Sequence, residues 1–176
     1  MNKKQIFENR LAALRAEIAE RNPNVKPIAG TDSGSLGKLY EMTVKAFLGA
    51  NRGKGVSGSN RTDTYIGGYA LEIKQGASEL EIFYSGKKVD YVCYCPDFQS
   101  GDEVERVSYV LDRDGFMAAL EEAGMIRMKV GSDGTTRHTM QSYKNSNRKY
   151  NAWLDALDEH SVMTLSEYKA MVRGEG

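Results

Sequence analysis

The sequence predicts an α/β domain, and three observations carry that expectation. Residues 61–75 read as two short strands around Gly67-Gly68. Residues 89–95, Val-Asp-Tyr-Val-Cys-Tyr-Cys, form an apolar and aromatic strand ended by Pro96. Apolar residues recur at helical spacing before and after these strands. A chain of 176 residues with 40% hydrophobic content is large enough to build one full core. The expected organisation is a single domain over 1–176, with a helical extension at 1–32, a core at 33–130, and a basic segment with helices at 131–176.

Taken in order, Phe7, Leu11, Leu14 and Ile18 give a helix over 4–21, stopped by Asn22-Pro23-Asn24. Ser33 or Ser35 caps the next helix, over 35–48, whose buried stripe is Leu36, Leu39, Tyr40, Thr43 and Phe47. Glu41 falls at the border of that stripe, where a carboxylate needs a partner unless its head reaches solvent. Residues 49–61 make a Gly-, Ser- and Arg/Lys-rich loop. Residues 76–86 have no clear class. Strands follow at 89–95 and at 104–111. Asp112 caps a helix over 113–123, with Phe116, Leu120 and Ala123 inward and Gly124 as its stop. A short strand at 125–130, a turn at Gly131–Gly134, a helix with Tyr150, Trp153, Leu154 and Leu157 inward, and a helix starting near Thr164 or Ser166 complete the chain.

Composition excludes some classes. No apolar run approaches the ~18 residues that span a membrane. The N-terminus shows no signal-peptide core, so a cytoplasmic protein is expected. Cys93 and Cys95, two apart in a strand, read as buried reduced thiols, because two histidines without metal spacing leave them no zinc partners. The net charge is zero but unevenly spread: residues 77–126 carry 11 acidic against 4 basic residues, and residues 127–150 carry 6 basic against 1 acidic. A one-sided basic surface can follow from that spread. Gly34-Ser-Leu-Gly-Lys38 fails as a phosphate-binding P-loop, since position 32 is Asp and position 39 is Leu.

The hairpin carries the chemistry. A two-residue Gly-Gly loop sets Ile66 opposite Tyr69, Tyr65 opposite Ala70, Thr64 opposite Leu71 and Asp63 opposite Glu72. One face then holds Thr64, Ile66, Tyr69, Leu71 and Ile73 and is the core face; the other holds Arg61, Asp63, Tyr65, Ala70, Glu72 and Lys74 and is mostly ionisable. Directly opposed carboxylates need a shared proton or a cation between them. With Lys74 beside them they are a minimum set for a hard divalent metal and a placed water. The bland reading of that face is a solvated hairpin with incidental charges. Arg52, Lys54 and Arg61, with Ser57, Ser59 and Asn60, can wrap a phosphate backbone. Lys144, Arg148 and Lys149, interleaved with Tyr143 and Tyr150, suit backbone contact and stacking.

Glu41 on a helix, Asp63 on a strand, a tight turn, then Glu72-Ile73-Lys74 resembles the PD-(D/E)XK nuclease superfamily. The resemblance implies a restriction-endonuclease-like core, a central mixed β-sheet flanked by helices running helix, three strands, helix, strand, with 104–111 inserted and 125–130 as the core's closing strand. The N- and C-terminal helices are then additions. Ser57-Gly-Ser59 is also similar to Holliday-junction resolvases of that superfamily. The family's Pro before the Asp is replaced by Thr62. The resemblance implies Mg²⁺, with Mn²⁺ as substitute, held by Asp63, Glu72 and the Ile73 carbonyl. It makes Glu41 a ligand of a second metal or of its water, Lys74 the residue that positions the attacking water, and Gln75 a substrate contact. The expected activity is endonucleolytic hydrolysis of DNA, of restriction, junction-resolving or defence/mobile-element type. A homodimer is expected where both strands are cut together. The alternative is a member of the fold that binds nucleic acid or protein without cutting.

Overall fold

The structure, a computed structural model, describes residues 36–50, 64–99, 101–143 and 146–174, together with Gln5, Asn9, Ala12 and Ala13. Those four are helical and exposed; the rest of the expected helix at 4–21 lies outside the described residues. The elements are helix α1 (Leu36–Leu48), strands β1 (Thr64–Ile66) and β2 (Tyr69–Gln75), the one-turn helix α2 (Glu81–Tyr84) and β3 (Tyr91–Cys95). They continue with α3 (Val104–Val107), β4 (Tyr109–Asp112), α4 (Arg113–Glu122), β5 (Ile126–Val130), β6 (Thr136–Met140), α5 (Asn147–His160) and α6 (Leu165–Val172).

Strands β1 to β4 form one mixed sheet in sequence order. The pairs β1–β2 and β3–β4 are antiparallel and β2–β3 is parallel. Parallel neighbours need a crossover connection; residues 76–90, with α2, supply it. Side-chain alternation then builds two cores. Leu71, Ile73, Cys93, Cys95 and Val110 face α1, α3 and α6, where Leu39, Val44, Val104, Leu165 and Tyr168 are buried. Val92, Tyr94 and Leu111 face α2, α4 and α5, where Phe83, Phe116, Leu120, Trp153 and Leu157 are buried. The domain is therefore α/β, with a mixed central sheet flanked by helices. Burial on both faces explains why 91–95 is apolar throughout rather than alternating. No helix among the described residues is long and apolar enough to cross a membrane.

Four local expectations change. Residues 104–107 are a helical turn, not the start of a strand: Val104 and Val107 both contact the first core, and a spacing of three puts them on one side of a helix but opposite sides of a strand. The strand at 126–130 does not join the central sheet. It pairs with β6 in a separate two-stranded sheet, and Tyr109–Asp112 takes the fourth place in the main one. Arg127 to Val130 are all exposed, so that segment lacks the two-sided apolar content of a central strand. Strand β6 was not foreseen, since Met140 is its one apolar residue. In α1, Leu36 is exposed and Phe47 half-buried, while Met42, Val44 and Leu48 are buried, because the helix lies between the sheet and α3.

Candidate functional site

Gly67 and Gly68 have φ of +58° and +85°, a conformation that L side chains resist. The turn they make fixes the register Ile66↔Tyr69, Tyr65↔Ala70 and Thr64↔Leu71, as expected. Asp63 lies outside the described residues. Thr64, Leu71 and Ile73 are buried, as the core face requires, although Tyr69 is 36% exposed. The opposite face is not a wet one. Tyr65 is half-exposed, but Ala70 is fully buried and Glu72 only 7% exposed, because the crossover segment lies against them.

Glu72 sits between two ammonium groups. Lys74 Nζ is 3.9 Å from its Oε1 and Lys87 Nζ is 3.9 Å from its Oε2. Both lysine side chains are about as buried as the carboxylate. Lys74 is aimed by three contacts: the Glu72 charge, a hydrogen bond donated to the Glu79 carbonyl at 3.0 Å, and the Phe83 ring, whose centroid is 5.8 Å away. Lys87 was missed by sequence reasoning. Its place is set by the path of the crossover, and spacing along the chain carries no signal of it.

Glu41 is placed elsewhere. Helix α1 packs against the Leu71 and Ile73 face of β2, while Glu72 and Lys74 project from the other. Lys45 donates to Glu41 at 2.7 Å and Lys38 at 3.1 Å. Burial pushes the Glu41 carboxyl pKa up, but the charges and hydrogen bonds of Lys45 and then Lys38 outweigh that and hold it below its ordinary value.

Of the expected nucleic-acid contacts, Arg52, Lys54, Ser57, Ser59, Asn60, Arg61 and Lys144 lie outside the described residues. Gln75 lines a crevice of about 720 Å³ at the carboxyl ends of the parallel strands β2 and β3, together with Gly76, Pro96, Asp97, Asn147 and Tyr150. Arg148 and Lys149 follow on the exposed first turn of α5. Crevices at strand carboxyl ends are habitual ligand sites in α/β sheets. A buried knot of rings holds this one. Tyr94 Oη donates to the Gly76 carbonyl at 2.9 Å and accepts from Trp153 Nε1 at 3.1 Å, while Tyr143 Oη donates to the Pro96 carbonyl.

Cys93 and Cys95 are buried and unbridged. Burial pushes their thiols up to about 11 and about 12, so they are inert at neutral pH. Glu122, Glu159 and His160 bring potential ligand atoms within 4.8 Å of one another at the surface. The 2.6 Å contact of His160 Nε2 with Glu122 accounts for this group as a polar link between the ends of α4 and α5. Comparison with known proteins leaves the geometry to speak alone: no family model matches the chain, and no curated protein and no solved structure matches it.

Proposed function

We propose that this protein is a Mg²⁺-dependent endodeoxyribonuclease built on a restriction-endonuclease-like hairpin. The observation that carries the reading is Lys74 Nζ 3.9 Å from the Glu72 carboxylate, on the second strand of a hairpin whose Gly67-Gly68 turn has the register that the reading requires. The donors suit a hard cation: Glu72 offers a buried anionic oxygen, Asp63 a second, and the Ile73 carbonyl a neutral third. Glu72, Asp63 and the Ile73 carbonyl would hold Mg²⁺, which would supply positive charge at the scissile phosphate. Lys74, already oriented by Glu79 and Phe83, donates to the attacking water or to a phosphate oxygen, in surroundings where its charge is weakly screened. Gln75 meets the substrate from the crevice. Glu41 is engaged by Lys38 and Lys45, so a role as ligand of a second metal would require those pairs to open.

A second reading has its own observation. Glu72 is already balanced by two lysines, which favours a non-cutting protein that binds nucleic acid or a protein partner on the same scaffold. Cleavage of supercoiled plasmid in Mg²⁺ or Mn²⁺, with Lys74→Ala alongside, separates the two. The nuclease cuts, and the variant loses turnover while still binding DNA. A variant that cuts as fast as wild type removes Lys74 from the mechanism. Absence of cutting, together with no rise in melting temperature on adding Mg²⁺, Mn²⁺ or Ca²⁺, moves the assignment to the non-cutting protein.

A further inference from the structure

The separate ribbon of β5 and β6 concentrates charge in an unusual way. Its register pairs Arg127 with Thr139 and Lys129 with Arg137, so three cations lie on one face. Lys129 and Arg137 are direct cross-strand partners, and like charges in that position destabilise a strand pair. All three are exposed, so burial does not explain them. Two carboxylates are near. Glu79 lies 3.6 Å from Arg137, and Asp133, held by hydrogen bonds from Thr135, also feels the Arg137 charge; neither forms an ion pair with Lys129. The basic face forms one wall of an open groove of about 690 Å³, and Ser78 and Glu79 form the other.

That second wall leads to the hairpin. The carbonyl of Glu79 accepts from Lys74 Nζ, and Glu79 also bridges to Thr139 of β6. The groove and the β2–β3 crevice meet at Ala77, which lines both.

We infer that the β5–β6 ribbon is the track on which the phosphate backbone of duplex DNA lies, with Arg127, Lys129 and Arg137 as phosphate contacts that deliver the strand to Lys74. The inference rests on the nuclease reading for its destination, and on charge complementarity for its occupant. A polyanion crossing the ribbon converts the Lys129–Arg137 repulsion of the free protein into two favourable contacts. Phosphate contacts of this kind hold the protein on the duplex without reading its sequence.

The test is binding of a fluorescein-labelled duplex by anisotropy, in EDTA so that no strand is cut, over a range of salt. Wild type is compared with Arg127→Ala/Lys129→Ala and with Arg127→Lys/Lys129→Arg. Arg106→Ala on α3 controls for loss of charge elsewhere. The double alanine variant should keep its melting temperature and lose about tenfold or more in affinity. Its plot of log affinity against log salt should flatten by about two, one for each lost phosphate contact. The charge-conserving pair and Arg106→Ala should bind as wild type does.

Unchanged affinity and slope in the double alanine variant would overturn the track while leaving the nuclease reading intact. A flattened slope in a protein whose Lys74→Ala form still cuts would do the reverse. Failure of wild type to bind duplex at any salt would overturn the track, with the plasmid assay then deciding the enzyme separately.

Discussion

Glu41 and Glu72 each stand between two lysines, yet removing their charges should have different consequences. The folded-state pKa of Glu41 lies below its ordinary 4.5, so its contribution to stability is complete above that value and lost as pH falls through the folded pKa. Glu41→Gln should therefore cost about 1–2 kcal/mol at neutral pH, and that difference should close as pH falls below 4.5. Urea melts of both proteins across this range would show it. Glu72 is deeper, and its loss removes a counter-charge that Lys74 and Lys87 share. Glu72→Gln should cost about 3 kcal/mol, and adding Lys87→Met should recover part of it, since one uncompensated ammonium then disappears. If the double variant is no more stable than the single, the Lys87 contact is incidental.

At the scale of elements, the hairpin makes a sharp prediction about its two glycines. Both have positive φ, so alanine at either should cost about 1 kcal/mol or more in backbone strain. A Cβ on Gly68 would meet nothing within 4 Å, whereas one on Gly67 would lie 2.3 Å from the Val172 carbonyl oxygen. Gly67→Ala should be the more damaging by a further ~1–3 kcal/mol, as overpacking against rigid backbone is; equal melting temperatures would mean that α6 is free to shift. This hairpin was legible in the sequence because its turn chemistry is local: two glycines admit few loop geometries, and the register follows. The Asp112 cap and the Thr164–Glu167 capping box are local in the same sense, and the helices start where those residues stand. The β5–β6 ribbon was not legible, because Thr136–Met140 has too little apolar content to announce a strand. Neither was the burial of Glu72, which depends on a crossover that begins after the strand has ended.

For the molecule as a whole, the sequence conveyed the class of fold and missed one level of its assembly. Apolar periodicity marked most of the elements, but it does not say which sheet a strand joins, and 126–130 went to the wrong one. The site shows the same limit. The Glu72–Lys74 pair follows from spacing of two on a strand, while the separation of Glu41 from it follows from which face α1 covers. The two cores should nevertheless melt together, because β3 and β4 are shared walls of both. Leu157→Ala in the second core should cost about 2–5 kcal/mol and leave a single transition, detected equally by Trp153 fluorescence and far-ultraviolet dichroism. Two separated transitions would mean that the sheet does not couple the layers. The grip of Arg173 on the Leu48 carbonyl, through Nε at 3.0 Å and Nη2 at 2.6 Å, joins positions 125 apart in the chain. On the ribosome, the hairpin and α1 thus emerge long before the segment that covers them. The first core therefore cannot close until α6 has been translated, and the order of synthesis leaves the Leu71 and Ile73 face of the hairpin without that cover while the rest of the chain is made.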